Sequence, residues 1–203
     1  MMKNLSVFLV VAVVGLISFS SNIFAASWYA GVTKSGYTYN GVAAQIKTPT
    51  SLPTLGSSGE SAWVSNLSSS GDWVQTGIRY YSGYTGFKTY IEHNISGGYG
   101  LDEIGTHVLD FTVRYRVAYD SADSKWHGFI ADVDKGSWTM SQYQNVQSNA
   151  ESHATNTQHG PFNFIELVIK DSSGWNWNTT KPTAKSPYSV NITDNANFRV
   201  YGP

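Results

Sequence analysis

The chain has 203 residues, with 13 Lys and Arg against 14 Asp and Glu, and charged residues make up only 13% of it. A near-neutral balance without a basic run argues against a nucleic-acid partner, and the absence of Cys excludes disulfides, thiol catalysis and Cys-based metal sites. Gly, Ser, Thr, Asn, Tyr and Trp are abundant instead, which is the composition of an extracellular β-protein.

The first 25 residues carry a signal-peptide pattern: Lys3 as the positive start, an apolar run from Leu5 to Ile17, and Ile23-Phe24-Ala25 before the cleavage point. The run is too short to match a bilayer span, and no second one follows. The expected organisation is therefore a signal peptide at 1–25 and one exported β-sandwich domain at 26–203, outside the membrane once cleaved. Removing Lys3 leaves 12 basic residues against 14 acidic ones, a net charge of −2. The destination is secretion or the periplasm, as a monomer.

From Ser27 onward no helical stripe exceeds two turns. Trp28 to Thr33 and Tyr37 to Lys47 read as strands, and Thr48 to Gly59, with Pro49, Pro53, Gly56 and Gly59, reads as a loop. Two apolar-aromatic runs follow, Ser61 to Val64 and Trp73 to Gly77, joined by small polar residues. Alternation in the second run puts Trp73, Gln75, Gly77 and Arg79 on one face and Val74, Thr76, Ile78 and Tyr80 on the other, the core face. Phe87 to Asn94 is the next strand, and Gly97, Gly98 and Gly100 mark a turn. Thr106 to Tyr119 reads as one long strand, with His107, Leu109, Phe111, Val113, Tyr115, Val117 and Tyr119 on a shared apolar face. Trp126 to Val133 and Ser137 to Val146 form a hairpin around Asp134-Lys135-Gly136. Ser148 to Gly160 is polar, Pro161 to Lys170 alternates again, Ser172 to Ser186 is a long loop holding Trp175 and Trp177, and Tyr188 to Tyr201 closes the fold. Roughly a dozen short strands without helices predict an all-β, antiparallel sandwich or jelly roll.

The residues Ser61-Ala62-Trp63-Val64, then Val74-Gln75-Thr76-Gly77 followed by aromatics, resemble the eqolisin glutamic peptidases and, more loosely, the neprosin group. Trp28-Tyr29-Ala30-Gly31, Ile46-Lys47-Thr48-Pro49, Tyr90-Ile91-Glu92-His93 and Pro161-Phe162-Asn163-Phe164 agree with that family in order. The resemblance implies a concanavalin-like sandwich and a secreted, acid-acting endopeptidase that hydrolyses polypeptide without metal or cofactor. It also implies that Gln75 stabilises the oxyanion of a tetrahedral intermediate, since an amide donates but does not titrate. Its partner, the general base, falls in or near Asn149-Ala150-Glu151. One register puts Glu151 in the catalytic slot; another puts Thr155 there and leaves the site without its acid. Glu151 is the chosen candidate, ahead of Glu166. Glu92 matches a supporting glutamate, and Trp63 and Trp73 would line the substrate cleft.

Two other chemistries are open to the same residues. Glu151, His153 and His159 lie close in sequence, but without a metal-ligand spacing of any strength. Seven Trp and thirteen Tyr suit stacking on sugars, so a lectin-like module or a glycoside hydrolase using Glu92 and Glu151 is the alternative, with a glycan as partner.

Overall fold

The computed structural model describes residues 28–34, 39–55, 59–141, 144–152, 159–177 and 182–202. It is an all-β sandwich of two antiparallel sheets, with no helix among the described residues. The seven-stranded sheet runs, in spatial order, through β13 (Pro182–Ala184), β1 (Trp28–Lys34), β10 (Gln144–Ser152), β3 (Glu60–Ser68), β4 (Trp73–Tyr80), β5 (Phe87–Ile95) and β6 (Gly98–His107). The second sheet runs through β14 (Ser189–Ile192), β15 (Phe198–Gly202), β11 (His159–Asp171), β2 (Gly41–Lys47), β7 (Thr112–Asp120), β8 (Lys125–Ile130) and β9 (Val133–Trp138), with β12 (Gly174–Trp177) also paired to β11.

The core lies between the sheets and is built by alternation. Val74, Thr76 and Ile78 of β4 point inward and are fully buried, and Val74 and Ile78 belong to one core cluster with Tyr115 and Val117 of β7, Trp126 of β8 and Phe162 and Phe164 of β11. The Phe164 ring stacks on Phe198 at a centroid distance of 4.4 Å. With no disulfide to constrain the chain, burial of these large side chains carries the stability; each contributes about 1.5–3 kcal/mol when fully removed from water.

The structure corrects the sequence reading at several places. Residues 106–119 are not one strand: β6 ends at His107, and β7 starts at Thr112. Between them Asp110 takes a positive φ of 53°, its N–H donates to the Pro49 carbonyl, and Phe111 is more than half exposed rather than core. The long β6 was read as a turn because three glycines and two acids hide its pattern; as an exposed edge strand it has no apolar face to reveal it. Ser148 to Ser152, which the sequence marks only as polar, belongs to β10, which pairs on both sides with β1 and β3. Similarly, β12 and β13 replace part of the loop expected at 172–186.

Candidate active site

A cavity of about 520 Å³ opens on the outer face of the seven-stranded sheet. Its floor follows from strand register. One cross-strand row reads Gln147, Ser65, Gln75, Glu92; the next reads Asn149, Trp63, Gly77, Tyr90; the third reads Glu151, Ser61, Arg79, Lys88. Every second residue of β3, β4, β5 and β10 therefore faces the cavity, while the residues between them fill the core. All five residues singled out from sequence (Trp63, Trp73, Gln75, Glu92 and Glu151) line this one hollow. Gly77 is required at the centre of the middle row, since a Cβ there would sit 2.0 Å from the Ala62 carbonyl oxygen.

Gln75 is held by its neighbours. Its Nε2 donates to Glu92 Oε2 at 2.6 Å and to the Tyr90 hydroxyl at 3.1 Å. The Tyr90 hydroxyl in turn bonds Ser61. Glu92 also accepts from the Tyr99 hydroxyl through Oε1, so both its oxygens are occupied. Tyr99 comes from β6 and packs edge-on against Trp73 at 6.5 Å, closing one end of the cavity.

Glu151 stands apart from this cluster. Four residues of β3, about 13 Å of strand rise, and two strand spacings, about 10 Å, separate its backbone position from that of Gln75. Its Oε2 accepts from Trp63 Nε1 at 3.3 Å, and its other oxygen has no hydrogen bond among the described residues. The carboxylate in contact with the Gln75 amide is thus that of Glu92, and Glu151 shares the cavity from across the Trp63 ring. A second hollow of about 400 Å³ continues past Trp63, Gln147 and Glu151 to Tyr29, Thr33 and Thr183, so the cleft extends over most of the sheet.

Burial raises the pKa of Glu92 above its ordinary value; the hydrogen bonds from Tyr99 and Gln75 and the charge of Arg79 pull it down, and Glu151 pushes it up. Tyr99→Phe removes one of the bonds that favour the charged form, so the pKa of Glu92 is expected to rise further. If ionised Glu92 holds Gln75, the acid limb of the kcat/KM profile should move to higher pH in Tyr99→Phe. An unmoved limb would mean that Glu92 does not govern the site.

Thr155 and His153 lie outside the described residues, as does the side chain of His159, so the competing register and the Glu151-His153-His159 grouping have no geometry to report. Glu166 is on the other sheet, hydrogen-bonded to Gln45 at a bulge of β11. The described residues with ligand atoms near enough to share an ion are Asp120, Asp123 and His127, also on the other sheet. There the His127 nitrogens bond Asp134 at 2.7 Å and Asp123 at 3.0 Å. Burial alone would lower the His127 pKa, but these two carboxylates raise it.

Sequence reasoning missed Tyr90, Tyr99, Ser61 and Gln147 as parts of the cavity. Alternation from Glu92 would have placed Tyr90 beside it; Tyr99 was hidden because its strand was.

Fold and site together define a concanavalin-like sandwich with a Gln/Glu cleft on its hollow sheet. No protein-family model matches the sequence, and no curated protein matches it. Among solved structures, the chain is similar to scytalido-glutamic peptidase bound to a peptide-based transition-state analogue, with a TM-score of 0.64 and 15% identity over 87% of this chain and 98% of that one. It is also similar to SCP-B, a member of the eqolisin family of peptidases, in complex with the tripeptide Ala-Ile-His, with a TM-score of 0.61 and 14% identity over 86% and 98%. A further scytalido-glutamic peptidase structure, with a transition-state analogue inhibitor, aligns at 0.58 and 13% over the same shares. The fold is that of these glutamic peptidases.

Proposed function

We propose that this protein is a secreted, acid-acting glutamic endopeptidase in which Gln75 and Glu151 act on a peptide bond held in the cleft, without metal or cofactor, as a monomer. The observation that carries it is the convergence of the Gln75 amide and two carboxylates, Glu92 and Glu151, on a single hollow of an eqolisin-type sandwich. That the neighbours of this fold are captured with peptides or peptide-like inhibitors favours polypeptide as substrate.

Glu151 is assigned the base because one of its oxygens carries no hydrogen bond among the described residues, whereas both oxygens of Glu92 are engaged. Its carboxylate takes a proton from a water whose oxygen attacks the carbonyl carbon. The oxygen of the resulting tetrahedral intermediate accepts from Gln75 Nε2, which turns one hydrogen from Tyr90 to the substrate while Glu92 keeps the amide aligned. Glu151 then gives its proton to the leaving nitrogen, the C–N bond breaks, and a carboxylic acid and an amine depart. General acid–base catalysis is most efficient near the pKa of its group, which for carboxyl groups lies in the acid range.

The test is digestion of unfolded casein at pH between about 3 and 5 by the wild type, Gln75→Ala and Glu151→Ala. Cleavage by the wild type and by neither variant supports the dyad, and cleavage by both variants removes it. An inert wild type retained on a glycan column assigns the cleft to sugar binding instead.

A further inference from the structure

Arg79 is a charged residue of the cavity that the proposed dyad leaves without a task. It stands on the same face of β4 as Gln75, four residues on, with only Gly77 between them. Its guanidinium lies 4.5 Å from the Tyr81 ring centre and 5.8 Å from that of Tyr90. Nε is 3.2 Å from Glu103 Oε1, an oxygen that also receives the Tyr84 hydroxyl. Directly across the strand pair is Lys88, a second cation, whose ammonium bonds the Thr106 hydroxyl at 3.0 Å rather than a carboxylate.

At this end of the cavity Arg79 is the lining cation; Lys88 and the Glu103 carboxylate stand beside it, outside the lining. The two acids of the cleft are engaged elsewhere, Glu92 with Gln75 and Tyr99, and Glu151 with Trp63. Like charges placed directly opposite on a sheet repel, so an arriving anion is stabilised by both. A guanidinium presents a planar fork that matches a carboxylate, and aromatic walls keep water from screening the pair.

Resting on the peptidase reading, we infer that Arg79 determines specificity by receiving the acidic side chain of a peptide substrate. The four residues from Gln75 to Arg79 cover about 13 Å of strand, a distance bridged by a Glu or Asp side chain one or two residues from the scissile carbonyl. The substrate class is peptides with an acid close to the cleavage point.

Internally quenched peptides that differ only by Glu or Gln, scanned over the positions flanking one scissile bond, test this. At pH 5 the Glu peptide should be cleaved roughly 5- to 10-fold faster in kcat/KM at the matching position, as for a charge-assisted contact in a half-buried site. The ratio should approach unity near pH 3, where the substrate carboxyl, with a pKa of about 4.3, is protonated. Glu103 beside Arg79, and Glu92 and Glu151 in the cavity, are present with both peptides, and Arg79→Gln separates any influence of theirs from the contact with the substrate. Arg79→Gln should lose the preference and its pH dependence, and Arg79→Lys, which keeps the charge, should retain part of it. An arginine that only braces Tyr81 and Glu103 would slow both peptides equally; a ratio near one in the wild type, or unchanged in Arg79→Gln, overturns the inference.

Anisotropy titration of labelled Glu and Gln peptides onto Glu151→Gln reads the same preference without turnover. Tighter binding of the Glu peptide with no hydrolysis by the wild type removes the peptidase reading and keeps the carboxylate site. Hydrolysis without any preference removes only the role of Arg79, and neither hydrolysis nor preference removes both.

Discussion

Glu151→Gln is expected to lower kcat on a casein-derived peptide about 10²- to 10⁴-fold at pH 4 while leaving KM nearly unchanged, because it deletes a proton acceptor and keeps the shape of the side chain. Gln can still accept from Trp63 Nε1, so the indole that separates Glu151 from the amide cluster should hold its place. Gln75→Ala is expected to cost about 10²- to 10³-fold, the range for removing one oxyanion donor. Glu92→Gln should cost less than either, since its carbonyl oxygen can accept from Gln75 while its NH₂ donates to the Tyr99 hydroxyl, which then acts as acceptor. Steady-state kinetics on one peptide separates these roles. A loss in Glu92→Gln equal to that in Glu151→Gln would exchange the two carboxylates: Glu92, in direct contact with Gln75, would be the base.

The second large effect is on stability. Glu60 opens β3 and is 1% exposed, between Ser152 of β10 and Tyr80 of β4. Burial raises its pKa well above the model-compound value of 4.5, against a smaller opposite effect from the Gly160 backbone hydrogen bond. In the folded protein the proton is held more tightly than in the unfolded chain, so the contribution is fully present below about pH 4.5 and is lost as pH rises through the folded pKa. An ionised carboxylate at that depth costs several kcal/mol. Glu60→Gln, which keeps the acceptor for Gly160 and cannot ionise, should flatten the decline of Tm between pH 5 and pH 8, read by circular dichroism in steps of about one pH unit. His107 acts with the opposite sign. Burial lowers its pKa from 6.5, so its contribution is present above that pH and is lost as pH falls. The difference between wild type and Glu60→Gln cancels the histidine; an identical pH dependence in both would mean that Glu60 is not the group responsible. A sandwich that carries a protonated Glu60 in its interior is suited to the acid conditions in which a carboxylate base works.

Much of this arrangement was legible in the chain itself, and the part that was not has a physical cause. The period-2 alternation of residues 73–80 assigned the core and cleft faces of β4, because one face is packed and the other is wet. Residues 61–64 and 74–77 likewise pointed to the correct sandwich. Strand β6 could not be read, since an exposed edge strand broken by three glycines shows no sustained apolar periodicity, and with it went Tyr99. The position of Glu151 was legible only as a choice of registers. Pairing of β10 with β3 is set by contacts across the sheet, Glu151 opposite Ser61 and Gln147 opposite Ser65, and nothing in residues 144–152 alone encodes it. The same long-range pairing gave Glu92 its place: it was read as a supporting residue, and the structure puts it in contact with Gln75 because β5 lies directly beside β4.

The decisive measurement is a double-substitution cycle in kcat/KM at pH 4 on a single internally quenched peptide, comparing wild type, Gln75→Ala, Glu151→Gln and the variant carrying both. If amide and carboxylate act on the same carbonyl as one unit, the combined variant should be no slower than the worse of the two single ones. Multiplied losses would show two independent contributions, and single variants that turn over at the wild-type rate would show that the hollow under Trp63 cleaves nothing through this pair.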